Sequence, residues 1–319
     1  MHHEGGRRST AMPSPDYSVE LDLGEPPPEV QEYAREHCGE DPDTRLQAIC
    51  ELRELIYERG ECSPHRMDEA FLLRFLRCRN FIPKRAHRLL VNYYKFKEDN
   101  AEYYKDVYPL ELRQVGEHNI LAVPPYRDQN GRRLMLYRIG CWDPNTISVE
   151  DMVKASIMTL EIGVLEPRMQ ILGGIALFDL EDLGTHHAWQ MTPSLASKMI
   201  KLLVSSFPTM AYAVHVVNHS WVFDKIYAMF KPLLDSEIQS KIFFHGYNLE
   251  SLHKHIHPNH LPERYGGIWS DYSYTIWLES LKKNIDIAKE MISCGYKFKE
   301  EDFNADVVEE LKKQGVKLA

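Results

Sequence analysis

Apolar side chains recur at intervals of three and four in the first third of the chain: Leu46, Ile49, Leu52 and Ile56, then Phe71, Leu72, Phe75 and Leu76, then Ala86, Leu89, Leu90 and Tyr93. That spacing puts each set on one helical face. The polar breaks "RGECSPHRMD" and "RNFIPK" separate three amphipathic helices, which predict a small helical domain over 29–105. After about residue 117 short apolar runs alternate with longer helical ones. "NILAVPPYRDQNGRRLMLYRIG" predicts two strands around an Asn130-Gly131 turn. "SVEDMVKASIMTLEIGVLEP" predicts a helix capped by Ser148, with Asp151 in the capping-box position. "GGIALFDLEDLG" is apolar without a break, as in a strand covered on both faces. Thr192 and Pro193 then start a helix over "TPSLASKMIKLLVSSF". The strand "AYAVHVV", the helix "SWVFDKIYAMFKPLL", the strand "KIFFHG" and a histidine-rich helix complete the pattern. Such alternation predicts an α/β domain with a mostly parallel sheet over 106–280.

Residues 281–319 read as a C-terminal helical extension, in which Val307, Val308 and Leu311 form a weak apolar face. Residues 1–28 are polar, hold five prolines and show no sustained period, so disorder is expected there. With 319 residues, 44% hydrophobic and 27% charged, the chain has ordinary globular composition. No apolar run approaches the roughly 18 residues of a membrane span, and the opening residues lack the apolar core of a signal peptide. The expectation is a cytosolic protein, monomeric and in transient contact with membranes. Six scattered cysteines form no C-x-x-C pair and suit a reducing compartment. A net charge of −9 argues against a nucleic-acid partner. Residues 66–105 nevertheless hold ten Lys/Arg against five Asp/Glu, a basic surface within an acidic chain.

Candidate chemistry is sparse. "SLHKHIHPNHLPERYGG" brings His253, His255, His257 and His260 into eight positions. An i,i+4 pair such as His253 and His257 would share a helical face and could take a metal. No cysteine completes a tetrahedral set nearby, and a structural segment is the preferred reading. Dinucleotide, P-loop and nucleophile-elbow motifs are all absent, which removes the usual enzymes of α/β architecture. Asp179, Glu181 and Asp182 follow a strand where acid–base groups often sit, but carboxylates there usually mark the surface. The helix 220–234 is apolar around most of its circumference, which means complete burial or alternate contact with lipid.

The motifs "DEAFLLRFLRCRNF", "LYRIGCWDP", "FDLEDLG", "QMTPSLASKM", "SFP", "KPLL", "HGYNLESLHKHI" and "LPERYGG" occur in this order between about residues 45 and 280. In these the chain resembles the CRAL-TRIO family of lipid carriers, most closely the branch of tocopherol and retinaldehyde carriers. The resemblance implies a helical N-terminal domain and an α/β domain with an apolar cavity under a mobile gate helix. No enzymatic activity, metal or cofactor is implied; the expected guest is one retinoid, carotenoid, tocopherol or similar lipid. Matched pocket positions are Tyr137, Val153, Ser156, Ile157, Thr159, Leu160, Gly174, Ala176, Phe178, Leu183, Met191, Met199, Leu202, Leu203, Phe207, Ala211 and Val214. Ser156 and Thr159 are the expected head-group anchors. The implied gate carries Trp221, Val222, Phe223, Ile226, Tyr227, Met229, Phe230 and Leu233. Where relatives carry a basic phosphoinositide cleft, this chain has Met210, Tyr212, Glu237 and Lys241, so only Lys241 keeps its charge. Arg132, Arg133 or the basic helical segment are the alternative membrane contacts. Leu160 replaces a serine and makes the pocket more apolar. An alternative function is a phospholipid-sensing scaffold whose terminal segments bind a partner.

Overall fold

A computed structural model describes residues 20–272 and 282–319. The expected disorder of the N-terminal segment lies outside the described residues for positions 1–19. From residue 20 the chain is docked: the Asp22 amide donates to Glu166 Oε1 at 2.9 Å, and Leu21 packs against the main core.

Helix α1 (Pro28–Tyr33) starts on a proline at its first positions and continues into a π turn, Ala34–Cys38, ended by Gly39 at φ +68°. Its Val30, Ala34 and Cys38 bury against Ile171 and Leu172. The three periodic helices form as α2 (Arg45–Arg59), α3 (Glu69–Arg77) and α4 (Pro83–Asp99). A short α5 (Arg113–Glu117) leads into the sheet.

The strands are β1 (Leu121–Ala122), β2 (Leu134–Arg138), β3 (Gly174–Asp179), β4 (Ala211–Val217) and β5 (Ile242–Gly246). They lie in sequence order; β1 and β2 are antiparallel and every later pair is parallel. The Asn130-Gly131 turn closes the β1–β2 excursion, with Gly131 at φ +81°. Each parallel step is bridged by helices: α6 (Val149–Gly163) and α7 (Pro167–Leu172), then α8 (Thr185–Gln190) and α9 (Pro193–Ile200), then α10 (Trp221–Phe230) and α11 (Ser236–Ser240). Ser148 and Thr192 cap α6 and α9 as their sequences predict, accepting from the Asp151 and Leu195 amides.

Two sequence expectations change. The helix read through "LLVSSF" ends at Ile200 and continues as a π turn over Lys201–Ser206. The histidine-rich helix shrinks to α12 (Leu249–His253), so His253 and His257 do not share a helical face. Beyond it, α13 (Ile285–Ser293) and α14 (Ala305–Lys313) pack back onto the main core, with Leu311 buried and Val307 and Val308 beside it. The apolar face of the C-terminal tail is thus covered within the chain.

One face of the sheet is sealed. Leu134, Leu136, Ile175, Leu177 and Val217 pack on Leu252, Ile256, Leu261 and Tyr265. The "LPERYGG" segment fits there because a Cβ at Gly267 would come within 1.9 Å of the Leu261 carbonyl oxygen. Tyr265 donates to Asp179 Oδ2 at 2.9 Å, while Asn218 donates to Oδ1 at 2.9 Å. Asp179 therefore fastens the end of β3 to the closing segment, and Glu181 and Asp182 are exposed. These carboxylates converge on no shared site.

On the same sealed face, His215 of β4 lies 2.9 Å from His245 of β5, which contacts Ser251 at 2.9 Å. His255 and Phe243 pack their rings on this pair. Burial, followed by repulsion from neighbouring imidazoles, lowers His215 to about 3 and His245 to about 4. The unfolded chain protonates these rings near pH 6.5 and the folded one well below, so their contribution is complete above that value and lost as pH falls. Between pH 7 and 5.5 we expect a loss of about 2 kcal/mol, checked by urea unfolding at each pH. His215→Gln should flatten the slope, and an unchanged slope would place the titration elsewhere.

Candidate functional site

The opposite face of the sheet is left incomplete. Along β3 the burial alternates, with Ile175, Leu177 and Asp179 buried and Gly174, Ala176 and Phe178 half-buried. Tyr137 on β2, Val214 on β4 and Ile242 on β5 belong to the same half-buried face, and Phe244 is exposed. Period two puts these residues on one side of the sheet, and the β-ladder registers line them up. Phe178 stacks on Tyr137, ring centroids 4.7 Å apart.

Helix α10 covers this face and packs against α8 and α9. Val222, Phe223 and Ile226 reach Phe178, Val214, Val216, Leu180, Leu183 and Ile242. Of the expected gate residues only Val222 is buried; Phe223, Ile226, Tyr227, Met229 and Phe230 are half-buried, Leu233 is exposed, and Trp221 is 65% exposed. A helix this apolar that stays this uncovered has apolar surface to offer to something else.

Helix α6 supplies the floor. Val153, Ile157 and Leu160 are buried in the main core, and Leu202 within the π turn and Phe207 just past it join them. Ser156 and Thr159, the expected anchors, direct their hydroxyl hydrogens to the carbonyls of Met152 and Ala155 at 2.9 and 2.8 Å. They retain lone pairs, so a guest must donate to them. Burial pushes the Tyr137 phenol up to about 12, with Ser156 acting in the opposite direction. Met191 and Met199 are half-buried, and Met199 packs on the core. Leu203 and Ala211 stand apart from the enclosed set: both are exposed, Leu203 to 45%.

Thr159 and Gly174 also line a partly open pocket of about 40 Å³ where β3 begins, walled by Val123, Met135, Ile162 and Met169. Of the matched pocket positions, Thr159 and Gly174 reach this end. Its further signal in the sequence is the alternation Leu21-Asp22-Leu23 in the stretch expected to be disordered, because Leu21 lines the pocket.

The matched cleft positions carry little free positive charge. Lys241 is held by Glu237 at 3.1 Å, and the Tyr212 ring lies 3.5 Å under the Arg132 guanidinium. Arg132 and Arg133, expected as membrane contacts, are buried instead. Arg133 pairs with Glu166 at 2.7 Å and Arg132 donates to the Leu172 carbonyl. Their carboxylate and carbonyl partners lie inside the fold and draw both guanidinium groups inward.

The histidine run disperses. His253 contacts the Tyr265 carbonyl, His255 packs on His215, His257 receives the Asn259 amide and His260 contacts the Arg127 carbonyl. Among the described residues, one set with metal-ligand spacing occurs elsewhere, His65 with Glu290 and Cys294. Glu290 there is clasped by Arg66 and Arg74, cations that oppose a dication.

Residues 117–267 match the CRAL/TRIO domain. Clavesin-1 of Pongo abelii is 34% identical over 256 residues, covering 80% of this chain and 72% of its own. The chain belongs to the CRAL/TRIO family. Clavesin-2 of Homo sapiens is 32% identical over the same length, covering 78% of that protein. The crystal structure of Sfh5 superposes with a TM-score of 0.48 at 17% identity, covering 79% of this chain and 99% of that one. That family is one of lipid-binding and transfer proteins, and the chain has a helical N-terminal region and a mostly parallel sheet. These relatives do not place it in the tocopherol and retinaldehyde branch. Among the described residues no helix is long and apolar enough to cross a membrane.

Proposed function

We propose that the chain carries one hydrophobic molecule between the sheet and α10 and exchanges it at membrane surfaces. The observation that carries this reading is the contrast between the two sheet faces: one sealed, the other half-buried beneath an apolar helix that is itself half-buried. A guest covering a few hundred Å² of apolar surface would gain up to roughly 10 kcal/mol at about 25 cal/mol per Å², before ordering losses. No covalent bond is needed. Retinoids, carotenoids, tocopherols and similar lipids are the candidate guests, held by the matched set from Tyr137 to Val214 without the exposed Leu203 and Ala211. Opening needs a ligand with different affinity for the two states of α10, and a bilayer that solvates Trp221 and Leu233 supplies one. The protein acts as a cytosolic monomer in this reading, with 29–105, 106–280 and 281–319 as its folding units.

The scaffold alternative relies on terminal segments that bind a partner, and packing on the main core covers the apolar face of the C-terminal one at Leu311. Purified full-length protein mixed with a fluorescent retinoid or tocopherol analogue should quench or transfer energy from its tryptophans saturably at one site. The absence of saturable binding with every such analogue would sink the proposal.

A further inference from the structure

His255, from the histidine run, meets two histidines that the sequence places far from it. It is exposed, and its ring centre lies 5.1 Å from that of the buried His215 and 5.6 Å from that of the buried His245, which are themselves 5.2 Å apart. Three imidazoles on one tetrahedral zinc, with Zn–N of about 2.0–2.1 Å, hold their ring centres about 5 Å apart. The three rings already form that triangle. His215 Nδ1 lies 2.9 Å from His245 Nε2, and a zinc between them would need about 3.3 Å.

Two features aim His245 at this point. The β4–β5 register shifts so that Val216 faces Phe244 and Val217 faces Gly246, which leaves His245 as the extra residue of a bulge and turns its ring toward His215. Its Nδ1 is held 2.9 Å from Ser251 Oγ, the outer-shell contact by which a ligating histidine keeps its other nitrogen on the metal. His255 supplies the third nitrogen by a turn about its Cβ–Cγ bond. As the ring lies, its nitrogens stand outside ligand range of the other two. That bond points at the ring centre, so the turn swings the nitrogens while the centre stays in place, about a soft two-fold torsion. Among the described residues no hydrogen bond holds the ring back. The electrostatics differ from those around His65, where Arg66 and Arg74 clasp Glu290. Among the described residues the side-chain charges acting on His215 and His245 are imidazoles alone, those of each other, His255 and His219.

We infer that His215, His245 and His255 form a three-histidine site for a zinc-class dication, with water in the fourth position on the exposed side of His255. One ion would then fasten β4, β5 and the segment leading into "LPERYGG" on the sealed side of the sheet. The site lies across the sheet from α10 and stands independently of the carrier reading.

The test uses full-length protein freed of metal by chelation, titrated with zinc chloride by calorimetry and with cobalt(II) chloride in the visible. Wild type should take up one tight equivalent, and cobalt should show the intense bands of a four-coordinate ion. His255→Ala removes an exposed side chain and should keep the fold, checked by circular dichroism. Its zinc affinity should fall by more than the roughly 10–100-fold cost of losing an outer-shell partner, and Ser251→Ala should show that smaller cost. His65→Ala and His257→Ala should bind zinc as wild type does. Wild type that takes up no full equivalent overturns the inference, and so does a six-coordinate cobalt spectrum. Zinc that stays on His255→Ala, or that is lost with His65→Ala, places the ion elsewhere and overturns it too.

Discussion

Glu166→Ala should destabilise the protein by about 3–5 kcal/mol, because it leaves the guanidinium groups of Arg127 and Arg133 buried around an empty position. Glu166 is fully buried. Burial alone would raise its pKa, yet the Arg133 hydrogen bond and the charges of Arg133 and Arg127 hold it below the usual carboxylate range. It also accepts the Asp22 amide, so one carboxylate ties together the β1–β2 excursion, the turn before α7 and the docked segment at Leu21 and Asp22. Urea unfolding gives the cost directly. A loss under 1 kcal/mol would mean that the arginines find water or other partners without it.

The second large effect is on binding rather than stability. Ala176→Phe should reduce lipid affinity at least tenfold, equivalent to about 1.4 kcal/mol, while the melting temperature barely moves. The phenyl group would enter space that the half-buried face leaves unfilled. Ala213→Phe is the matched control, since Ala213 lies in register with Ile175 on the sealed face and is buried. Overpacking there should cost about 1–3 kcal/mol of stability and leave binding unchanged in the folded fraction. Equal effects of the two substitutions on stability would erase the distinction between the faces.

Much of this architecture is legible in the sequence because local chemistry and global packing agree. Ser148 and Thr192 cap the helices they precede, and the unbroken apolar run of β3 becomes an interior strand. The exceptions have tertiary causes. Nothing local in "KLLVSS" announces a π turn; there, Arg79 donates to the Val204 carbonyl and Asn92 to the Ser205 carbonyl, both from the helical domain. Those donors satisfy last-turn carbonyls that the chain ahead cannot, since Pro208 has no N–H to give Val204, and the Phe207 amide bonds five residues back to Leu202. Arg132 and Arg133 look like surface charges in a one-dimensional reading, and distant partners such as Glu166 and Leu172, 33 and 40 positions away, turn them inward. The docking of residues 20–22 is hidden for the same reason. Leu21 and Leu23 alternating with acids have no local reason to be ordered.

The pocket positions divide along similar lines. Residues set by strand alternation, Gly174, Ala176 and Phe178, come together with Tyr137 and Val214. Leu203 and Ala211 fall beside an irregular turn and a bulged strand end, where period-based placement loses its footing.

The central claim is that α10 covers a lipid site, and native mass spectrometry of the full-length protein before and after organic extraction tests it most directly. The account predicts a mass excess of one lipid molecule that extraction removes, and that returns on incubation with vesicles containing that lipid. A protein of bare polypeptide mass that also takes up nothing from vesicles would contradict it.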